Sequence, residues 1–432
     1  MTNRAPSAPE SIAPLVRDDS VHTSLYIDAA VFEREMDQIF HKGWVYVAHE
    51  SEVPEPGCFR LAWIGRKSVI VSRGDDRKVH VLMNRCAHRA ATVCQVERGT
   101  VATFRCAYHG WSFRTDGTLA AVPYADGYGS DFRREDWGLS SAPRVASYRG
   151  FVFASLRPSG ISLEEHLGAP VRAQLDYFCD LSPEGEVVAR SGTNKYGYDA
   201  NWKFQLENSI DGYHPAFTHQ AFFDSYGTRM NVPVDLFKGN SLGQNRDLGN
   251  GHTMLDFRAF NRNNPGVRER IDQMRRTPWG EQYWDKLRAR LGEERALDVL
   301  TTHGTHMSVF PNLVVLQHQI RTIRPVSVER TEVLLNPVLL QGAPDELNTR
   351  RIRMHEMFYG PGGGGVPDDI EMFRRVRIGI DSSIDPWIRF WRGRHREQRD
   401  ADGTTFAQMT DEVSQRAMWR EWRRQMLDES PS

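Results

Sequence analysis

Apolar residues at Val31, Phe32, Met36, Ile39 and Phe40 recur at helical spacing with charged residues between them, which predicts a helix over Ala29–His41. From Trp44 to Phe153 the texture changes. Short runs such as Ser68–Ser72 (SVIVS), Val79–Met83 (VHVLM) and Gly150–Ala154 (GFVFA) are broken by Pro56-Gly57, Gly74-Asp75 and Asp116-Gly117, the pattern of a small all-β domain. A helix over Leu163–Asp180, a strand at Glu186–Ser191 and a helix carrying Trp202 to Thr218 come next, while 220–305 is mixed and polar with few clear signals. Strands return at Met307–Phe310, Leu313–Arg324 and Thr331–Leu340, and helices at Glu346–Met357 and from Asp368 through Arg375, with the loop Gly360–Gly365 between them. No internal repeat is present. The reading is an α+β protein: a disordered tail over 1–20, an N-terminal helical segment over 21–43, an all-β domain over 44–155, and a larger domain with a big antiparallel sheet over 156–432.

Composition narrows the options. A chain of 432 residues has room for two or three domains. Lys plus Arg is 55 and Asp plus Glu 56, a net charge of −1, and no basic stripe stands out, so nucleic acid is not an expected partner. The dense basic stretch Arg389 to Arg399 has acidic neighbours and reads as a solvated helix face. No run approaches the ~20 apolar residues that cross a bilayer, so a membrane is not expected either. Met1 to Ser20 is rich in Pro, Ser and Ala without the apolar core of a secretory signal. Five cysteines in so long a chain make no disulfide framework, and the odd number suits a reducing cytoplasm.

Two of those cysteines stand beside histidines. Cys86 and His88 form C-x-H, Cys106 and His109 form C-x-x-H, and 17 residues separate the pairs. Two loop tips can therefore close on one centre. Two thiolates and two imidazoles suit tetrahedral zinc. They suit equally a Rieske 2Fe–2S cluster, in which two histidines replace two cysteines on one iron. Cys58, Cys94 and Cys179 fall off the pattern and read as inert buried thiols. A second constellation, N-W-K-F-Q-L-E-N-S-I-D-G-Y-H-P-A-F-T-H, places Asp211, His214 and His219 as D-x-x-H-x-x-x-x-H. A 2-His-1-carboxylate iron site needs one further acidic oxygen, and V-P-D-D-I-E offers Asp368 or Asp369. His303, His306 and His318 read as ordinary core residues, although their strands could line a pocket.

The stretch C-A-Y-H-G-W-S-F-R-T-D-G-T-L followed by Pro123 resembles the second finger of Rieske aromatic-ring-hydroxylating oxygenases, and E-N-S-I-D-G-Y-H resembles their catalytic-domain signature. F-Y-G-P-G-G-G-G-V-P-D-D resembles their Gly-Pro loop and the acidic residue after it, which selects Asp369. One departure is Ala90 after Arg89, where the family commonly has Gly. From Trp44 to Asp369 the chain is similar to the large (α) subunit of that family. The resemblance implies an all-β Rieske domain before a helix-grip-like catalytic domain. It implies a 2Fe–2S cluster on Cys86, His88, Cys106 and His109, and a mononuclear Fe(II) on His214, His219 and Asp369. Asp211 would then bridge electrons between subunits rather than bind metal.

The resemblance also implies an NADH-dependent reductase, with or without a ferredoxin, and a homotrimeric or α3β3 assembly in which a small β subunit can take part. No G-x-G-x-x-G fingerprint follows a strand, so hydride is handled elsewhere. Arg321 and Arg324 in Q-H-Q-I-R-T-I-R-P suggest a clamp for an aromatic carboxylate, against the alternative of a surface ion pair. The expected activity is hydroxylation, cis-dihydroxylation first, of such an acid. The alternatives are O-demethylation or amine monooxygenation on the same metals, a Rieske electron carrier without enzyme activity, and a zinc protein.

Overall fold

The computed structural model describes residues 12–230, 234–238, 241–382 and 384–429. The chain divides into two compact units: Phe40–Leu163, and the residues up to Ile39 together with those from Glu164 onward.

The smaller unit is all-β. A four-stranded sheet runs in the order Val79–Met83, Lys67–Arg73, Cys58–Ile64, Arg98–Thr100, and a three-stranded one is built from Thr103–Arg105, Ser112–Arg114 and Leu119–Ala121. A further sheet joins Arg144–Tyr148, Phe151–Ser155 and Val45–His49. Alternating residues of the first two sheets, among them Phe59, Leu61, Ile70, Leu82, Phe104 and Phe113, enclose one core that also contains Cys86, Cys106 and Trp111. Both fingers therefore rise from a packed base.

The larger unit is organised on a nine-stranded antiparallel sheet. Its order is Asn194–Tyr198, Arg330–Pro337, Gln319–Ser327, Leu313–Leu316, His306–Val309, His252–Asp256, Gln244–Gly249, Thr405–Gln408 and Gln398–Arg399. Helix Trp202–Ser209 packs on strands Gln319–Ser327 and His306–Val309. It is anchored by an internal polar cluster: Lys203 pairs with the fully buried Glu35, which also accepts from Trp202 Nε1 and Trp422 Nε1 at 2.8 Å each. The pair is tolerated at zero exposure because both carboxylate oxygens are satisfied. The N-terminal helix and the helix Val413–Met426 thereby hold the segment that leads into the site.

Three expectations are corrected. The tail does not extend to Ser20: Ile12 is fully buried, Ala13–Leu15 form a helical turn, and Ser20–His22 pair with Trp387–Arg389. Polar composition hid these few apolar anchors; residues 1–11 lie outside the described residues. The basic stretch 389–399 is not a helix but a strand end, a turn over Arg394–Arg396 and a short strand. Arg394 pairs with Asp19 at 2.7 Å and Arg396 with the buried Asp411 at 2.6 Å. The helix from Trp202 stops at Ser209, and Pro215–Thr218 form a separate short turn of helix. The stretch 220–305, mixed and with few clear signals in the sequence, contains among its described residues two strands and four α-helices beyond the helix Gln220–Met230. Two of those helices carry a legible start signal, Asn264-Pro265 and Thr277-Pro278, whose cap side chains accept from Gly266 N at 3.0 Å and Gly280 N at 3.1 Å.

Candidate metal centres

In the smaller unit the two fingers repeat one backbone design. Cys86 N donates to Ala91 O and Ala90 N to Cys86 O at 2.8 and 3.0 Å; Cys106 N donates to Trp111 O and Gly110 N to Cys106 O at the same distances. Each turn needs a left-handed residue, and Ala90 (φ 63°) adopts the conformation that Gly110 (φ 72°) adopts in the other finger. The absent glycine leaves the turn intact and loads it with strain. Asn84 holds the first finger down, accepting from Cys94 N at 2.8 Å and donating to Cys94 O at 2.7 Å.

Cys86 and Cys106 are both buried, 2% exposed, while the rings of His88 and His109 meet with centroids 4.6 Å apart. His88 stacks on Trp111 at 4.9 Å, and its Nδ1 is buried with no protein partner. An orphaned imidazole nitrogen beside paired thiols is what a metal cluster would satisfy. Among the described residues, the one set of three or more ligand atoms gathered within 4.8 Å is elsewhere.

That set is His214, His219 and Asp369, in the larger unit. Asp369 Oδ1 lies 3.2 Å from His219 Nε2 and 3.7 Å from His214 Nε2, and Asn208 Nδ2 donates to it at 3.0 Å. Each imidazole has a carboxylate behind it as well: Asp211 Oδ2 is 3.7 Å from His214 Nδ1, and Asp368 Oδ2 is 3.5 Å from His219 Nδ1. This arrangement presents Nε2 inward; Asp368 is within hydrogen-bond distance of His219 Nδ1, whereas Asp211 stands beyond it and leaves the buried His214 Nδ1 without a hydrogen-bond partner. Burial works to raise the Asp369 carboxyl, but the His219 hydrogen bond and both imidazoles hold it below the usual carboxylate range.

The local chain explains these positions. Asp211 does not share a helix face with His214; it lies in the turn after the helix and accepts from the backbone N–H groups of Tyr213 and His214. Asp368 and Asp369 open the helix Val366–Asp381, where the helix dipole favours negative charge. The glycine run lets that helix approach closely. A Cβ on Gly365 would stand 2.3 Å from the ring of Phe358, and that ring itself packs edge-on to His219 at 5.1 Å.

The three residues open on a cavity of about 460 Å³ walled by Phe223, Leu255, Phe257, Leu316 and Phe358. Arg321 lines the same cavity at 3% exposure, donating from Nη1 to Ser209 Oγ at 3.0 Å and lying over Tyr359 at 5.4 Å, with its Nε buried and unpartnered. Arg324, three residues on, is not beside it; it pairs with its cross-strand neighbour Glu332 at 2.6 Å. Asn208 and Ser209 also line the cavity and were not singled out from sequence, because each depends on helix phase rather than on a local motif; His303, His306 and His318, read from sequence as core residues whose strands could line a pocket, line it too.

Comparison with known proteins agrees with these features. Residues 43–148 match the Rieske [2Fe-2S] domain, and residues 186–428 match the catalytic domain of ring hydroxylating alpha subunits. The chain is 35% identical over 385 residues to the 2-halobenzoate 1,2-dioxygenase large subunit of Burkholderia cepacia, covering 85% of this chain and 79% of that protein. It is 34% identical over 390 residues to the anthranilate 1,2-dioxygenase large subunit of Acinetobacter baylyi, covering 86% and 80%. The crystal structure of naphthalene 1,2-dioxygenase from Rhodococcus sp. bound to indole superposes with a TM-score of 0.81 at 28% identity, over 95% of both chains. The chain belongs to the ring-hydroxylating oxygenase alpha-subunit family, with a Rieske domain ahead of the catalytic domain, and is an oxidoreductase of that class. Possession of the catalytic domain sets aside the simple electron carrier. Among the described residues no helix is long and apolar enough to cross a membrane.

Proposed function

We propose that this chain is the oxygenase component of a multicomponent system that hydroxylates, and most simply cis-dihydroxylates, an aromatic carboxylate. Cys86 and Cys106 would hold one iron of a 2Fe–2S cluster and His88 and His109 the other, one cluster per subunit. His214, His219 and Asp369 would hold one mononuclear Fe(II). When bound, the cluster relays single electrons and the ferrous ion activates dioxygen, while the apolar cavity walls exclude water from the ring. Asp211, 3.7 Å from His214 Nδ1, and the exposed His109 of a partner subunit would form the electron bridge of a homotrimeric or α3β3 assembly, with a β subunit in the latter. Electrons would come from an NADH-dependent reductase, directly or through a ferredoxin, in the cytoplasm.

The substrate class rests on Arg321. It is a buried cation in the cavity of the His214 cluster and, among the described residues, has no acidic partner. The competing cations are otherwise engaged: Arg351 donates to the carbonyls of Val338 and Gln317 at 3.0 Å each, and Arg270 is solvent-exposed. A planar carboxylate is the natural counter-ion for a buried guanidinium.

Anaerobically purified protein should contain about three irons and two acid-labile sulfides per chain, and His214→Ala should remove about one iron while sparing the cluster spectrum. Arg321→Gln should weaken binding of benzoate-type acids by about ten- to a hundredfold, as expected for a lost charge-assisted pair. Unchanged iron in His214→Ala would refute the metal assignment; unchanged acid affinity in Arg321→Gln would refute the clamp.

A further inference from the structure

Several polar side chains line the cavity, and His306 stands on the same sheet face as Arg321. His306 begins the strand His306–Val309, directly opposite Leu255 on one side and Leu316 on the other. Arg321 is opposite Val314, so its side chain and that of His306 stand on the same sheet face as Leu316. Two strand spacings and two residues along separate their Cα atoms by roughly 12 Å, which leaves about one substituted benzene ring between the two extended side chains.

Two other histidines outside the metal set line the cavity. His303 Nδ1 bonds Leu300 O at 2.7 Å, and His318 packs against His355 and Tyr359 with Nε2 buried and unpartnered. No described residue hydrogen-bonds the His306 ring, whose neighbour is the Phe257 ring at 5.0 Å. Burial, with the charge of Arg321 and then His214 adding to it, drives its pKa down to about 3. The ring is therefore neutral at working pH and offers one N–H donor and one acceptor nitrogen.

We propose that His306 is a specificity-determining residue that hydrogen-bonds a hydroxyl or amino substituent on the ring of the acid bound by Arg321. This rests on the carboxylate reading of the cavity and extends it from benzoates in general to hydroxy- or aminobenzoates. The physical basis is asymmetric: an acid that carries the group satisfies a polar edge in an apolar wall, and one that lacks it leaves that edge unpaired in a desolvated site.

The test is isothermal titration calorimetry on the full iron-loaded chain, kept without reductant so that nothing turns over. The ligands are benzoate, 2-hydroxybenzoate, 3-hydroxybenzoate and 2-aminobenzoate. At least one substituted acid should bind the wild-type protein about five- to tenfold tighter than benzoate. His306→Leu should reduce that ratio to near one, and His306→Asn, which keeps a donor and an acceptor, should restore part of it. Circular dichroism and iron content confirm that the variants fold; should His306→Leu not fold, the His306→Phe ratio takes its place. A preference that survives loss of the imidazole overturns the His306 assignment alone. Acid binding that survives Arg321→Gln overturns the carboxylate reading instead.

Discussion

Replacing Glu207 by Gln should change how the stability of the catalytic unit depends on pH. Glu207 Oε1 accepts from Tyr26 OH at 2.6 Å and from Trp419 Nε1 at 2.8 Å, one residue before Asn208, which donates to Asp369. Burial pushes its carboxyl up to about 7 from the ordinary 4.5; the Tyr26 and Trp419 hydrogen bonds and Lys203 oppose the rise, and Asp211 adds to it. Below about pH 4.5 the folded and unfolded chains both carry the proton. Between about pH 4.5 and 7 only the folded chain does, so stability falls as pH rises, and above about 7 the loss is complete. A displacement of about 2.5 units at 1.36 kcal/mol each gives about 3 kcal/mol, and residual solvent contact brings this to about 2–3 kcal/mol. Gln keeps an acceptor for both donors and cannot ionise. At pH 8 Glu207→Gln should therefore melt a few degrees above wild type, and at pH 4.5 the two should coincide. Thermal unfolding across pH 4.5–8 reads this directly. Wild-type and variant curves that fall in parallel would refute the reasoning, since the titrating group would then lie elsewhere.

Two further outcomes follow from backbone and packing. Ala90→Gly should relieve the left-handed strain in the first finger, a stabilisation of about 0.5–1 kcal/mol, and so raise the thermal midpoint for loss of the cluster's visible absorption with the spectrum itself unchanged; a lower midpoint would contradict the strain argument. Gly365→Ala should force Phe358 from its place against His219 and lower mononuclear iron content while leaving acid-labile sulfide at the wild-type level, measured on the same sample.

The small β domain and its Cys-His pairs were legible because their signals are local. C-x-H and C-x-x-H each place a thiol and an imidazole on one tight turn, and the strands around them alternate with clear breaks. The helix after Ser209 was misjudged for an equally local reason. Asp211 offers its carboxylate to the backbone N–H groups of the next turn, and that competition ends the helix. The helices within 258–302 were overlooked because their cores face inward on surfaces with few apolar residues, although Asn-Pro and Thr-Pro starts marked two of them.

By itself, the order of residues determined which chemistry the chain carries: paired soft and imidazole donors in one segment, and an Asp-His-His set with a distant acidic pair in another. The motif's resemblance already favoured Asp369 over Asp368, and tertiary structure separates the two physically: a one-residue step at a helix start turns one carboxylate toward both Nε2 atoms and the other toward a single Nδ1. Register made the same kind of choice for Arg321 and Arg324, since an odd separation on a strand sends their side chains to opposite faces. Spacing along the chain dictates contacts within a turn. Contacts across more than a hundred residues are decided by which faces the sheet and helices bury together.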